Sequence, residues 1–243
     1  MTRKQYFLSG LKDGMPICFG YFAVSFAFGI QAAGIGLSVF EASVLSALNV
    51  TSAGQFAALA IIASGASLIE LAFTQLIINL RYFLMSCALS QKLSPSLPLG
   101  HRLGIAYGMT DEIFAVSQRE PLSPLYSDGL IAVAIPGWVL GTALGAAAGN
   151  ILPAVLTNAL GIAIYGMFIA IILPPAKENR VVAGVVVLSM VLSALFTYLP
   201  VLCNISSGFR IIIITLITAG GAALLFPIPD EPAEPEKEMP HES

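Results

Sequence analysis

The chain has 243 residues, of which 57% are hydrophobic and only 10% are charged, and its formal net charge is -3. Soluble domains carry roughly 25% charged residues, so this composition excludes an ordinary soluble protein and indicates one that crosses the lipid bilayer several times. The length suffices for seven or eight spans of about 20 residues, and the absence of a basic stripe argues against a nucleic-acid partner.

Most of the negative charge lies at the C-terminal end. From Pro229 onward there are six acidic residues against one lysine, a net charge of -5, so the rest of the chain carries +2. This end is rich in proline and poor in apolar residues, so it cannot bury enough surface to offset the entropy of ordering. We expect a transmembrane permease domain over residues 1–228 and a disordered, acidic cytoplasmic tail over residues 229–243.

The sequence contains no pattern typical of an enzyme or a metal site. Cys18, Cys87 and Cys203 are scattered, without the spacing of a metal site or a disulfide framework. No HExxH motif, Ser–His–Asp arrangement or phosphate-binding glycine loop is present in the sequence. We therefore expect a protein that is not an enzyme, with no catalytic residue, no metal and no cofactor.

Continuous apolar runs, rather than alternating ones, predict an all-α membrane helix bundle. The predicted segments, in chain order, cover residues 15–33, 41–63, 67–89, 103–117, 129–152, 154–173, 181–201 and 209–226. The fourth is short and interrupted by Gly104 and Gly108, and Pro174-Pro175 is expected to end the sixth.

The fourth segment decides the topology. Its 15 residues would reach about 22 Å as a helix, short of the roughly 30 Å hydrocarbon core. If it crosses and the N-terminus is cytoplasmic, seven Lys and Arg residues lie inside and three outside; otherwise the count is four against six. Because basic residues favour the inner side, we predict about eight segments, seven spans plus one short or broken segment, with both termini cytoplasmic. A seven-span chain with its N-terminus outside is the alternative.

A single arginine, Arg81, lies in the middle of the third segment and follows Asn79. A charge at the bilayer centre costs at least about 2.5–3.5 kcal/mol, so it needs a partner or a water-filled cavity. Candidate partners are Asp111 and Glu112, which follow Thr110 at a helix start; a plain helix start is the alternative. A deep cation and a deep anion together suit a zwitterion. Arg81 would bind a carboxylate, and Asp111 or Glu112 an ammonium group or a coupling proton.

Polar residues also occur in the second segment. Asn49, Ser52 and Phe56, at spacings of three and four, are predicted to lie on one helical face. Gln55, beside them, either joins helices by hydrogen bonds or lines a substrate path. Glu70, near the start of the third segment, is expected at the membrane interface.

The fifth segment carries glycines at a spacing of four, Gly141, Gly145 and Gly149. Such a ridge of small residues predicts close contact with another helix. Trp138 in the same segment is expected in the core or the interfacial belt rather than around a substrate.

These residues together resemble the AzlC-type branched-chain amino acid permeases, from about residue 11 to residue 227. The matching features are Pro16, Phe28-Gly29, Ala53-Gly54-Gln55-Phe56, Asn79-Leu80-Arg81, Thr110-Asp111-Glu112, Trp138, Gly141-Thr142 and Gly145. The chain departs from the family at Tyr82, where a histidine is often found, and at Met85, where a tyrosine is often found.

The resemblance implies a plasma-membrane exporter of branched-chain amino acids (in the inner membrane of a Gram-negative cell) with a small AzlD-type membrane protein as partner. The expected substrate-binding residues are Gln55, Asn79, Arg81, Asp111 and Glu112. Two other interpretations stay open: a channel or facilitator for a small solute, with Arg81 setting charge selectivity, and a non-transporting membrane scaffold.

Overall fold

The protein is described by a computed structural model that covers residues 2–91, 93, 97–117, 123–149, 151, 166, 169 and 172–227. Within these ranges the regular structure is entirely helical. The helices are α1 Arg3–Gly34, α2 Val39–Leu48, α3 Ser52–Ala63, α4 Leu68–Ser90, α5 Leu99–Tyr107, α6 Asp111–Ser117, α7 Pro124–Gly149, α8 Arg180–Tyr198 and α9 Ser207–Leu225, the last containing a π-helical turn at Leu216–Gly220.

By length and composition, five of these helices can cross a membrane: α1, α4, α7, α8 and α9. They correspond to the first, third, fifth, seventh and eighth predicted segments, although α1 begins at Arg3 and α7 at Pro124, ahead of the predicted starts. Most of the sixth predicted segment and the whole predicted tail lie outside the described residues. Residues 172–178 are helical, so the prediction that Pro174-Pro175 ends a helix is wrong.

The second predicted segment is not one helix. Its chain leaves the helical conformation at Asn49 and re-enters it at Ser52, because Asn49 (φ -135°, ψ 85°) and Thr51 (φ -136°, ψ 113°) have non-helical backbone angles. The predicted common face of Asn49, Ser52 and Phe56 is therefore wrong. Asparagine, valine, threonine and serine are all moderate helix formers, which makes this stretch a low-cost place to interrupt a helix.

Neighbouring helices donate and accept hydrogen bonds around the break. Gln75 on α4 accepts a hydrogen bond from Asn49 Nδ2 (3.2 Å) and donates one to the Gly54 carbonyl (2.8 Å). Tyr107 on α5 donates to the carbonyl of Ala47, one of the last carbonyls of α2. Non-helical backbone at membrane depth is tolerated where protein or a cavity surrounds it, and these bonds provide such surroundings.

The fourth predicted segment is broken, as predicted, between α5 and α6. Gly108 lies at the break, where a Cβ atom would stand 2.4 Å from Cγ1 of Ile131 on α7. The Thr110 hydroxyl then accepts a hydrogen bond from the backbone N–H of Ile113 (3.4 Å). The break thus combines a glycine that permits close approach to α7 with a capping residue for α6.

The core of the molecule is the contact between α1 and α7, which their glycines allow. A Cβ atom on Gly29 of α1 would lie 2.2 Å from the Thr142 carbonyl oxygen, and one on Gly145 of α7 would lie 2.0 Å from that of Phe26. A Cβ on Gly141 would lie 2.5 Å from the Phe22 carbonyl oxygen, and one on Gly149 3.1 Å from Cβ of Ala33. The predicted ridge therefore lies directly against α1, tightest at its centre.

Glu70 joins α4 to α9. Its side chain is buried in the protein within the first turn of α4, and its level at the membrane interface stays a prediction. Glu70 Oε1 accepts hydrogen bonds from the Ser206 hydroxyl and from the Gly208 backbone N–H (2.8 Å). A carboxylate beside the first turn of a helix satisfies free N–H groups and opposes the positive end of the helix dipole.

Candidate functional site

The two helix breaks meet at one cavity of about 600 Å³, a volume typical of small-molecule sites. The breaks contribute polar and backbone groups, while α1 and α7 contribute most of the apolar wall. The lining residues are Val50, Ser52 and Ala53 from the first break, Thr110, Asp111 and Glu112 from the second, Pro16, Ile17, Gly20, Tyr21 and Val24 from α1, Arg81 and Tyr82 from α4, Trp138 from α7, and Ile172.

Arg81 is ion-paired at the edge of this cavity. Its Nη1 lies 2.7 Å from Asp111 Oδ2, and its Nη2 donates a hydrogen bond to the Tyr82 hydroxyl (2.8 Å). The guanidinium carbon also stands 4.7 Å from the centre of the Tyr82 ring. The side chains of Arg81 and Asp111 are 40% and 39% exposed, so a solute in the cavity can reach both. Arg81 thus pairs with Asp111, one of the two partners predicted from the sequence.

Glu112 lines the same cavity and is held by α1. The Tyr21 hydroxyl donates a hydrogen bond to Glu112 Oε2 (2.7 Å) and also contacts the Thr110 hydroxyl. The ring of Tyr21 meets the Trp138 ring edge-on, with centroids 5.3 Å apart. Tyr21 thus links the acidic end of α6 to the aromatic wall of the cavity.

The first turn of α3 provides backbone donors on the cavity side. Ser52 and Ala53 line the cavity, and Thr51 gives this turn no side-chain hydrogen bond. The first N–H groups of a helix have no partner within the helix and carry the positive end of its dipole. Together with Arg81 they make one side of the cavity suited to an anionic group.

Gln55, one of the predicted binding residues, lies behind the cavity wall. It is fully buried and is absent from the lining. Its Oε1 accepts a hydrogen bond from Trp138 Nε1 (2.8 Å), and its Nε2 donates to the Ser46 hydroxyl (2.8 Å). Ser46 and Thr142 hydroxyls lie 2.6 Å apart. This chain of bonds fixes the Trp138 ring, which does line the cavity, so Gln55 acts on the cavity through Trp138.

Asn79 also lies beside the cavity rather than in its lining. Its Nδ2 donates to Gln75 Oε1 (3.1 Å), so it belongs to the polar network that supports the break between α2 and α3. Of the five predicted binding residues, Arg81, Asp111 and Glu112 therefore line the cavity together, and Gln55 and Asn79 brace it.

Replacing Gln55 with leucine is expected to release the Trp138 ring. The variant leaves the buried Trp138 N–H without its acceptor, which costs about 1–3 kcal/mol. Trp138 is the single tryptophan of the chain, so its emission reports this change directly. We expect a shifted emission maximum and stronger quenching by acrylamide in Gln55→Leu than in the unchanged protein.

The matched control is Thr142→Val, which removes a hydroxyl from the same chain of bonds but keeps the Gln55–Trp138 bond. Its tryptophan emission should stay that of the unchanged protein. Equal spectra for Gln55→Leu and the unchanged protein would show that Gln55 does not position the ring.

Sequence reasoning missed three parts of the site. Trp138 was expected in the core or the interfacial belt; it is buried, and it also lines the cavity. Tyr21 carries no local signal, because its role depends on the packing of α1 against α6 and α7. The first break was visible only as the run of moderate helix formers from Asn49 to Ser52.

Comparison with known proteins agrees with a membrane location. The family model described as AzlC protein matches residues 16–152, more than half of the chain. The chain is 35% identical to an uncharacterized membrane protein of Archaeoglobus fulgidus, over 76% of this chain and 83% of that protein. It is 31% identical to the inner membrane protein YgaZ of Escherichia coli, over 72% of this chain and 75% of that protein. No solved structure matches the chain.

Proposed function

The chain belongs to the AzlC family of membrane proteins, and on that premise we propose that it exports valine, leucine, isoleucine or other aliphatic amino acids across the plasma membrane. It would act as a multi-pass secondary carrier together with a small AzlD-type membrane subunit. In a Gram-negative cell the location would be the inner membrane.

The observation that carries the proposal is the make-up of the cavity, in which opposite charges and apolar walls occur together. Arg81 and Asp111 stand at one edge, while Ile17, Val24 and Trp138 supply apolar surface. An aliphatic amino acid has the same combination: a carboxylate, an ammonium group and a branched apolar side chain. The volume of about 600 Å³ has room for one such molecule with several waters.

The two charged ends of an amino acid have separate partners. The carboxylate would bind the Arg81 guanidinium, assisted by the backbone N–H groups of Ser52 and Ala53. The ammonium group would bind Asp111, with Glu112 close by. Arg81 and Asp111 neutralise one another at 2.7 Å. A zwitterion inserted between them leaves neither charge unpaired, so binding exchanges one ion pair for two.

This exchange favours zwitterions over singly charged solutes. A carboxylic acid without an amino group would pair with Arg81 and leave Asp111 without its counter-charge, which is unfavourable for an ionised group within a membrane-spanning protein. An amine without a carboxylate would pair with Asp111 and leave Arg81 without a counter-charge. Selection for amino acids would thus come from the cost that the ion pair imposes on other solutes.

The direct test is efflux of valine, leucine and isoleucine from preloaded cells, with and without the chain and the small membrane protein proposed as its partner. We expect faster efflux of at least one of the three only when the chain is present. Unchanged efflux of all three amino acids, with the protein shown to be in the membrane, would contradict the substrate.

Two further measurements separate the alternatives. A carrier gives saturable efflux that external amino acid accelerates by exchange, whereas a channel gives flux that rises in proportion to concentration. A membrane scaffold predicts no flux and no effect of Arg81 variants on any solute.

A further inference from the structure

A second cavity, separate from the one described above, lies between α8 and α9. It has a volume of about 360 Å³, and its wall includes Gly184, Val185 and Leu188 on one helix and Ile217, Gly221 and Leu225 on the other. Both helices are long and apolar enough to span a membrane, and only a small share of each is buried in the protein. The groove therefore opens toward lipid rather than toward water.

Two glycines create the space. A Cβ atom added to Gly184 or to Gly221 would meet no other atom within 4 Å, so no side chain fills the groove from either wall. Among the lining residues between Val181 and Leu225, the polar one is Thr218, which donates its hydroxyl to the Ile214 carbonyl (2.7 Å) and offers no free donor. The π-helical turn that contains Ile217 and Thr218 widens α9 at this level. The interior of the groove therefore offers a ligand apolar contacts and no free hydrogen-bond donor from Thr218.

The groove ends in a positive charge. Arg180, the first residue of α8, forms its mouth together with Phe226. The 19 residues of α8 reach about 28 Å, close to the thickness of the hydrocarbon core, which puts Arg180 at the level of the lipid headgroups. Lys177 and Glu178 lie in the preceding turn, so two basic residues stand against one acidic residue there.

From Arg180 to Leu188 the groove follows α8 for about 12 Å, less than half of the hydrocarbon thickness. It therefore lies within one leaflet. We propose that it holds one acyl chain of an anionic phospholipid, whose phosphate pairs with Arg180. Basic residues at the ends of membrane helices are suited to such headgroups, and the charge favours an anionic lipid over a zwitterionic one.

Native mass spectrometry of the purified full chain, titrated with phosphatidylglycerol or phosphatidylcholine, tests the proposal. The unchanged protein should retain one phosphatidylglycerol more firmly than any phosphatidylcholine. Gly184→Leu and Gly221→Leu should lose this lipid, because the leucine side chain fills the groove. Both changes raise helix propensity, so the helices themselves should persist.

The matched control is Gly220→Leu. Gly220 is the neighbour of Gly221, also has no atom within 4 Å of an added Cβ, and does not line the groove. This variant should keep the lipid. Arg180→Gln should keep the acyl chain but lower the preference for phosphatidylglycerol about fivefold.

Lipid binding that persists unchanged in both glycine variants, or that is lost equally in Gly220→Leu, would overturn the proposal. So would a change in oligomeric state, or in retention of a protein partner, confined to the two groove variants, because the occupant would then be a helix. Should a variant fail to fold, a diazirine-labelled phosphatidylglycerol can be cross-linked to the unchanged protein. Labelling must then fall on the groove segments of α8 and α9, and labelling elsewhere alone rejects the site.

Discussion

Replacing Arg81 with glutamine is expected to abolish amino acid efflux while the protein remains in the membrane. The change removes a charge-assisted hydrogen bond to the substrate carboxylate, worth about 1.5–3 kcal/mol, which corresponds to roughly 10- to 150-fold weaker binding. It also leaves Asp111 without its ion-pair partner. Efflux of preloaded leucine, normalised to protein in the membrane fraction, measures the effect.

Two variants separate the loss of binding from the loss of stability. Arg81→Gln combined with Asp111→Asn removes the unpaired charge, so the double variant should regain thermal stability but not efflux. Arg210→Gln changes another arginine, one that donates to the carbonyls of Ile205 and Cys203, and should leave efflux intact. Normal efflux from the Arg81 variant, or recovery of efflux in the double variant, would show that Arg81 does not bind substrate.

Replacing Gly145 with alanine is expected to cause the largest loss of stability of any single methyl addition on the ridge. The new Cβ would stand 2.0 Å from the carbonyl oxygen of Phe26, which is backbone and cannot rotate away. Overpacking of this kind costs about 1–3 kcal/mol or more. The melting temperature in detergent and the fraction of monodisperse protein should both fall.

Gly149→Ala is the matched control for this effect. The same methyl group at Gly149 would meet Cβ of Ala33 at 3.1 Å and Cα of Ile30 at 3.2 Å, distances that a small shift can relieve. Gly145 is inside α7 and Gly149 is its last residue, so the gain in helix propensity of about 0.8–1 kcal/mol applies in full only to Gly145→Ala. This gain opposes the expected loss of stability, so a less stable Gly145→Ala variant reports the clash. Equal stability of the two variants would mean that α1 and α7 do not pack through this ridge.

The long apolar helices were predictable, because hydrophobic length dominates where a helix crosses lipid. The prediction for the third segment, residues 67–89, differs from α4 by one residue at each end. The break at Asn49–Thr51 was not predicted, since none of its residues is a strong helix breaker and a helical apolar stretch resumes directly after it. Its stability depends on Gln75 and Tyr107, which come from distant parts of the chain.

The charged part of the site was predictable for a different reason. An arginine at membrane depth requires a partner, and few acidic residues are available, so Asp111 and Glu112 emerged as candidates. The aromatic part of the site was not predictable, because nothing in the sequence around Tyr21 or Trp138 indicates that these two rings are in contact. Gln55 was predicted to bind substrate, and only the structure shows that it is buried behind the cavity wall with its bonds leading to Trp138.

The cavity beside Arg81 and Asp111 is proposed to bind an aliphatic amino acid through both of its charges. Titration of the purified protein with leucine, followed by the emission of Trp138, tests it most directly, with 4-methylpentanoate and isopentylamine as analogues that lack the ammonium or the carboxylate group. We predict a saturable change with leucine and binding of each analogue at least roughly tenfold weaker, because each leaves one member of the ion pair without a partner. Equal binding of leucine and either analogue, or no saturable response to valine, leucine or isoleucine, would contradict the claim.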